Sequence, residues 1–200
     1  MIFLLILSTF TFQTSGTGND GFLEMPSQQP KALILYFHRY VEKRDAVKLW
    51  GESLTPNGFA VAGFTATLGG DTVAMANGAL LALRNQPGLE KVPVIALGAS
   101  MGAIPAARWF ATNSQVRALI LLVPGSTDIC TSLQSSAGRP VLLIQAENDE
   151  ITHTSGAKIR ACMTSGKHSI LKGHGHLFPP SAVSNEISQW LDALPRDQNP

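Results

Sequence analysis

Charged residues are scarce in this chain of 200 residues. Asp, Glu, Lys and Arg together make up 14% of the sequence, and the formal net charge is +1. The basic residues are scattered, and Lys43 and Arg44 are the only adjacent pair. Proteins that bind the phosphate backbone of nucleic acids usually carry a basic cluster or stripe. We therefore expect no nucleic-acid partner.

Cysteine is also scarce, with only Cys130 and Cys162 in the chain. No C-x-x-C spacing occurs, which argues against a zinc ribbon or a thioredoxin-like redox motif. The two residues are compatible with one disulfide in an exported protein and equally with two reduced, buried thiols. Both interpretations stay open, because the sequence does not place the two sulfur atoms in space.

Long apolar runs are absent except near the N-terminus, where residues 1–16 carry no charge and residues 2–7 are wholly apolar. The run is too short to span a bilayer, so we expect no stable membrane span. It suits the apolar region of a secretory signal, with small residues at Thr14 and Gly16, although no positive charge precedes it. We predict a signal peptide over residues 1–16 and export to the periplasm or the extracellular space. The alternative is a buried strand of a cytoplasmic protein.

The rest of the chain is predicted to be a polar linker at 17–30, one domain at 31–195 and a polar tail at 196–200. Within the domain, apolar runs alternate with segments of helical periodicity, as expected for strands separated by helices. Nearly continuous apolar strands are typical of a parallel sheet covered on both faces, so the fold class is α/β. The predicted strands are 32–37, 59–64, 92–97, 116–123, 140–146 and 169–171, and the predicted helices lie around 47–54, 73–83, 103–111, 157–163 and 183–194.

One short motif, Gly98-Ala99-Ser100-Met101-Gly102, lies between an apolar run and a helical segment. This strand, turn and helix pattern is typical of a nucleophile elbow, in which a sharp turn exposes the serine hydroxyl. We expect one glycine to permit a strained backbone and the other to let the helix pack closely on the strand. Ser100 is therefore a candidate nucleophile.

Two further polar segments follow later strands. Asp149 comes just after the run that ends at Ala146, and His176 follows the short strand that ends near Leu171. The carboxyl ends of parallel strands meet at one edge of a sheet, so we expect Ser100, Asp149 and His176 to lie together there. A serine needs a base to take its proton, and that base needs a carboxylate to orient it.

Other assignments remain open at this edge. Glu147, Glu150 and Asp128 are alternative acids. His174 and His176 would share one face of an extended segment, so a zinc pair, with His153 as a third ligand, is a weaker alternative.

These motifs resemble those of the α/β-hydrolase fold family, most closely its small, capless dienelactone-hydrolase-like and carboxylesterase members, over residues 31–194. The resemblance implies a single domain with a mostly parallel sheet, helices on both faces and no cap domain. It implies that Ser100 is the nucleophile, Asp149 the orienting acid and His176 the general base, with no cofactor and no metal.

The same resemblance implies an oxyanion hole formed by the backbone N–H of Met101 and by the loop after the first long strand, where Tyr40 is the candidate. Family members usually have His-Gly in that loop, whereas this chain has His38-Arg39. Arginine adopts a positive φ only at a cost. We therefore expect either a different loop path or atypical activity.

The expected function is that of a serine hydrolase that cleaves carboxylic esters through an acyl-enzyme. About 15 residues separate Pro124 from Pro140, too few for an inserted helical cap, so we expect an open site. An open site favours short acyl esters or the exposed chain of a polymer substrate. The alternatives are a thioesterase or peptidase with the same residues, a cofactor-free lyase or perhydrolase, and a non-catalytic binding protein on this fold.

Overall fold

The computed structural model describes residues 6–39, 42, 44–65, 71–136 and 138–195. Strands β1 to β8 span Ile6–Thr14, Thr17–Met25, Ala32–Phe37, Phe59–Phe64, Val94–Ala99, Val116–Leu122, Val141–Ala146 and Gly166–Leu171. Helices α1 to α6 span Val47–Leu54, Thr72–Arg84, Ala103–Thr112, Cys130–Gln134, His153–Cys162 and Ser184–Ala193.

All eight strands form one sheet in the order β1-β2-β4-β3-β5-β6-β7-β8. The pairs from β4 to β8 are parallel, whereas β1 and β2 form a hairpin that joins β4 in an antiparallel direction. The predicted mostly parallel sheet is therefore confirmed. Strand β5 lies in the interior of the sheet, between β3 and β6, so the turn that follows it opens near the middle of the carboxyl edge.

Helices cover both faces of the sheet, as predicted. Alternate residues of each strand point to opposite faces. In β3, Leu33 and Leu35 belong to the core under α2 and α3, whereas Ile34 and Tyr36 belong to the core under α1 and α6. Because β3, β4, β5 and β7 are buried along their whole length, the sequence shows continuous apolar runs rather than alternation.

The N-terminal region differs from the predicted linker. Thr17–Met25 forms β2, and Ser15 and Gly16, with φ of 48° and 80°, make the tight turn to β1. Positive φ at both central residues is the geometry of a two-residue hairpin turn. The first half of β2 is polar and exposed, so its sequence carries no strand signal, and pairing with β1 and β4 holds it in the sheet. Phe10 and Phe12 of β1 are buried in the core.

Between β6 and β7 the chain makes a short 3-10 turn and the five-residue helix α4, and no cap domain is present among the described residues. This connection is joined to the end of α5 by a disulfide between Cys130 and Cys162. The structure thus selects the disulfide from the two interpretations of the cysteines. No described helix has the length and apolarity needed to cross a membrane.

Candidate active site

The turn after β5 holds Ser100 in a strained conformation. Ser100 has φ of 51°, in the left-handed region that residues with a side chain rarely adopt. A short 3-10 turn over Ser100–Gly102 leads directly into α3. Strain of this kind persists only where the surrounding structure holds it, and it concentrates at functional sites. The elbow geometry expected from the sequence is therefore present, with the serine itself in the strained position.

Both flanking glycines are required for close packing rather than for positive φ. A Cβ at Gly98 would lie 2.7 Å from the Cβ of Ala106 on α3, and a Cβ at Gly102 would lie 2.6 Å from the carbonyl oxygen of His38. Real Cβ atoms do not approach other atoms so closely. The two glycines therefore let the start of α3 pack against β5 and against the end of β3.

Asp149 lies in a turn between β7 and α5 that surrounds its carboxylate with donors. The Oδ1 atom accepts hydrogen bonds from the backbone N–H groups of Ile151, at 2.9 Å, and Thr152, at 3.1 Å. The Oδ2 atom accepts one from the Thr152 hydroxyl and one from His176 Nδ1, the latter at 2.9 Å. The Asp149 side chain is almost fully buried, so these donors replace the water that it loses.

His176 connects Asp149 to Ser100. Its Nδ1 lies 2.9 Å from Asp149 Oδ2, and its Nε2 lies 2.9 Å from Ser100 Oγ. A carboxylate can only accept a hydrogen bond, so the proton of a neutral imidazole resides on Nδ1 and leaves Nε2 as an acceptor for the serine hydroxyl. The structure thus brings together the three side chains that the sequence predicted, with His176 Nε2 facing the Ser100 hydroxyl as an acceptor.

The pKa of the Asp149 carboxyl is lower than its ordinary value. Burial by itself raises that pKa, but the hydrogen bonds from Thr152 and His176 outweigh it and stabilise the charged form. Asp149 is therefore ionised and able to stabilise a positive charge on His176.

We call the turn after β7 that carries Asp149 the acid turn, and the loop after β8 that carries His176 the histidine loop. Two hydrogen bonds hold them together. The backbone N–H of Gly173 donates to Glu147 Oε2 at 2.9 Å, and the N–H of Asn148 donates to the carbonyl oxygen of His174 at 2.9 Å. Glu147, which sequence reasoning treated as an alternative acid, thus positions the loop that carries His176.

The other alternative assignments lie elsewhere. Asp128 and Glu150 are exposed, and the acid bonded to His176 is Asp149. His174 Nδ1 lies 2.9 Å from the carbonyl oxygen of Lys172, so it does not share the hydrogen-bond partners of His176. Within the described ranges, no group of three or more His, Cys, Asp or Glu side chains is arranged to hold a metal ion.

The oxyanion side of the site is described in part. Met101 follows Ser100 at the start of the helical segment, where backbone N–H groups lack intrahelical acceptors and attract negative charge. Tyr40, the second predicted donor, lies outside the described residues. Arg39 does not adopt a positive φ, so the chain leaves β3 by a path that needs no glycine there.

Arg39 and its neighbours form a compact polar cluster beside the histidine loop. The Glu42 carboxylate accepts hydrogen bonds from the Tyr36 hydroxyl, at 2.5 Å, and from the Arg39 backbone N–H, at 3.2 Å. The Arg39 guanidinium lies 5.2 Å from the centre of the Phe178 ring, two residues beyond His176. Its Nε and Nη2 atoms are buried, with no acceptor among the residues that the structure describes. The residue therefore braces the β3 loop against the histidine loop.

Thr152 is the residue at this site that sequence reasoning missed. It is buried, and it donates two hydrogen bonds to Asp149, one from its backbone and one from its hydroxyl. The available signal was the spacing Asp-x-x-Thr ahead of a helix, because an Asp in such a turn commonly accepts from the N–H groups that follow it.

A cavity of about 830 Å³ lies at the opposite, amino edge of the parallel strands. Its lining is rich in basic residues, but the arginines among them have structural partners: Arg84 donates to the carbonyl oxygens of Leu89 and Val92, and Arg139 to those of Phe110 and Val116. Reactive groups in parallel sheets gather at the carboxyl edge. We therefore place the candidate active site at Ser100, Asp149 and His176.

Comparison with known proteins supports the fold through solved structures. No protein-family model matches the chain, and no curated protein matches it in sequence. Among solved structures, the esterase domain of a Rhodothermus marinus protein superposes with a TM-score of 0.76 at 18% identity, over 93% of this chain and 98% of that one. A dienelactone hydrolase from Anabaena variabilis superposes with a TM-score of 0.77 at 18% identity, over 96% and 99% of the two chains.

A cold-adapted esterase from an Arctic intertidal metagenomic library gives a TM-score of 0.78 at 15% identity, over 93% of this chain and 92% of that one. Likeness at such low identity is a likeness of fold. The chain therefore has the single-domain α/β-hydrolase fold, as its sequence motifs suggested.

Proposed function

We propose that this protein is a serine hydrolase that cleaves carboxylic esters through an acyl-enzyme. The observation that carries the proposal is the hydrogen-bonded line from Ser100 Oγ through His176 to Asp149. The fold it shares with structures named as esterases and as a dienelactone hydrolase supports an ester as the substrate.

In the first half of the proposed reaction, Ser100 Oγ attacks the ester carbonyl carbon while His176 Nε2 takes the hydroxyl proton. Asp149 stabilises the imidazolium that forms, because it is ionised and bonded to Nδ1. The carbonyl oxygen becomes an oxyanion, which the backbone N–H of Met101 stabilises at the start of the helical segment. His176 then returns the proton to the alcohol oxygen, the ester bond breaks and the acyl group remains on Ser100.

In the second half, water attacks the acyl carbon and His176 Nε2 accepts its proton. Collapse of the second oxyanion breaks the bond to Ser100 Oγ, which regains a proton from His176 and releases the carboxylic acid. Every proton passes through Nε2, so the tautomer that Asp149 imposes is needed in both halves. Tyr40 remains the proposed second oxyanion donor.

The test is the turnover of p-nitrophenyl acetate by the wild type and by Ser100→Ala. We expect the rate of the variant to fall by about a thousandfold or more, as it does when a triad serine is removed. Ser135→Ala, which alters an exposed serine at the end of α4, is the matched control and should retain the wild-type rate. Turnover that survives in Ser100→Ala would overturn the proposal. A folded wild type that turns over no ester would favour the non-catalytic alternative.

We also propose that the protein works in an oxidising compartment, such as the periplasm or the extracellular space. The Cys130–Cys162 disulfide supports this, since disulfides persist mainly in such compartments. The signal-peptide interpretation of residues 1–16 remains a prediction, and cleavage there would remove β1 from the sheet. N-terminal sequencing of the protein secreted by expressing cells tests both points, since protein recovered only from the cytoplasm with reduced thiols would contradict export.

A further inference from the structure

Exposed apolar side chains cluster around the proposed site. Within the described part of the chain, six large apolar side chains are exposed, and three of them lie within two positions of a triad residue. Met101, next to Ser100, is 53% exposed; Ile151, two residues after Asp149, is 73% exposed; and Leu177, next to His176, is 70% exposed. We call these three side chains the apolar rim.

The hydrogen bonds of the triad bring the apolar rim together. Ser100 Oγ lies 2.9 Å from His176 Nε2, and Asp149 Oδ2 lies 2.9 Å from His176 Nδ1. The backbone N–H of Ile151 donates to Asp149 Oδ1 at 2.9 Å. Each rim residue is therefore joined to one triad residue, Met101 and Leu177 through the chain to Ser100 and His176, and Ile151 through a hydrogen bond to Asp149. The three rim residues therefore lie next to the residues that hold the proposed reacting groups.

Packing does not explain these three residues. Each is more than half exposed, so it adds little to the core, and a polar residue at the same position would be better solvated. Single exposed apolar residues are ordinary, but a group of them beside a cleft commonly marks a surface for an apolar ligand. The exposed charges nearby are mixed in sign, with Glu147 and Glu150 beside Lys172, so they do not favour a ligand of one charge.

We propose that the apolar rim binds a neutral, extended apolar chain of the ester substrate, laid along the protein surface beside the triad. The proposal rests on the proposed ester hydrolase function and specifies its substrate class. The occupant is the substrate itself because each rim residue is joined directly to a triad residue. The chain belongs either to the acyl part or to the alcohol part of the ester, and the experiment below separates the two.

An open rim covers only one side of such a chain. Full burial of a methylene group favours binding about fourfold, so contact on one side favours it by about twofold per methylene. We therefore expect kcat/KM to rise about twofold for each added methylene until the chain extends beyond the rim, and then to level off.

The test compares Ile151→Ser/Leu177→Ser with the wild type on p-nitrophenyl esters from acetate to decanoate and on a parallel series of alkyl acetates. The matched control is Leu81→Ser, on α2, where the leucine is 71% exposed and distant in sequence from the triad residues. We expect the octanoate-to-acetate ratio of kcat/KM to fall about tenfold in the double variant and to stay at the wild-type value in the control. An effect confined to the alkyl acetates would assign the rim to the alcohol chain instead.

Failure of the inference is distinguishable from failure of the proposed function. If the wild type cleaves acetate esters but both chain-length series give the same ratios in the double variant and the wild type, the rim binds no substrate chain and the inference is overturned. A double variant that changes oligomeric state by light scattering, with unchanged ratios, would assign the rim to self-association and also overturn it. If the wild type cleaves no ester, both the function and the inference fail.

Discussion

Asp149 in the acid turn and Glu24 in β2 are two buried carboxyl groups in different regions of the molecule. They are 2% and 4% exposed, and yet their pKa values shift in opposite directions. The pKa of Asp149 is lowered, because hydrogen bonds from Thr152 and His176 outweigh the effect of burial. The pKa of Glu24 is raised by burial first and then by the charge of Glu52, and its Oε2 atom has no hydrogen-bond partner in the described part of the chain.

The difference lies in what surrounds each carboxyl. The Asp149 turn supplies donors that stabilise a negative charge, as the proposed role of stabilising an imidazolium requires. Glu24 packs against Gly51 of α1, where a negative charge would destabilise the folded protein. Burial alone therefore does not distinguish the two carboxyl groups, whereas the set of donors around Asp149 does.

The largest expected effect comes from removing the Asp149 charge while keeping its shape. Asp149→Asn should lower kcat for p-nitrophenyl acetate by about a thousandfold to ten-thousandfold, because His176 loses the partner that fixes its tautomer. The neighbouring Glu150→Gln is the control, since Glu150 is exposed. If Glu150→Gln were the more damaging change, the identification of the acid would be wrong.

The disulfide should stabilise the protein through the region that contains the acid turn. Cys130 and Cys162 are 32 residues apart in sequence, and the loop they close contains Asp149 but not Glu24. Cys130→Ser/Cys162→Ser should lower the free energy of unfolding by about 3 to 4 kcal/mol in a urea titration, since the unfolded chain gains loop entropy. Reductant should destabilise the wild type equally and leave the double variant unchanged. Equal unfolding of both proteins in reductant-free buffer would mean that the bridge is not formed.

Substitutions of Thr152 test whether the hydrogen bonds to Asp149 support activity. Thr152→Val keeps the shape but removes the hydroxyl that donates to Asp149 Oδ2. We expect kcat/KM to fall about tenfold, the order of one hydrogen bond to a charged group. Thr152→Ser retains the hydroxyl and should recover most of the activity. Equal activity in the valine and serine variants would show that the hydroxyl does not support the acid.

The smallest expected effect concerns Glu24. Because its pKa is raised, its stabilising contribution is fully present below the unfolded pKa of about 4.3 and is lost as pH rises through the folded pKa. Glu24→Gln should therefore be more stable than the wild type by about 1 kcal/mol at pH 7, and the gain should vanish below about pH 4. Ester turnover should not change.

Ionisation of Asp149 affects the stability of the fold in the opposite direction to ionisation of Glu24. Its lowered pKa stabilises the fold above the unfolded pKa of about 3.9, and this stabilisation is lost as pH falls through the folded pKa. At neutral pH, Glu24→Gln should therefore be more stable than the wild type and Asp149→Asn less stable, and both differences should shrink as the pH falls below about 4. Unfolding curves that shift in the same direction in both variants would contradict the comparison.

The sequence was sufficient to predict the parallel sheet and the meeting of Ser100, Asp149 and His176. The buried strands are continuous apolar runs, and the carboxyl ends of parallel strands must share an edge, so strand order alone brings these residues close. The β2 strand was not predicted, because its exposed half is polar and only pairing keeps it in the sheet. The contact of Glu147 with the histidine loop depends on turn geometry that residue types do not reveal, whereas the Asp-x-x-Thr spacing is a weak signal for Thr152.

The central claim is that Ser100 is a nucleophile activated through His176 by Asp149. The most direct measurement is the reaction of the folded protein with a fluorophosphonate, followed by peptide mapping by mass spectrometry. We expect the phosphonyl adduct on the peptide that contains Ser100, and a much slower reaction in Asp149→Asn. A folded wild type that takes up no label, or that is labelled on a different serine, would contradict the account.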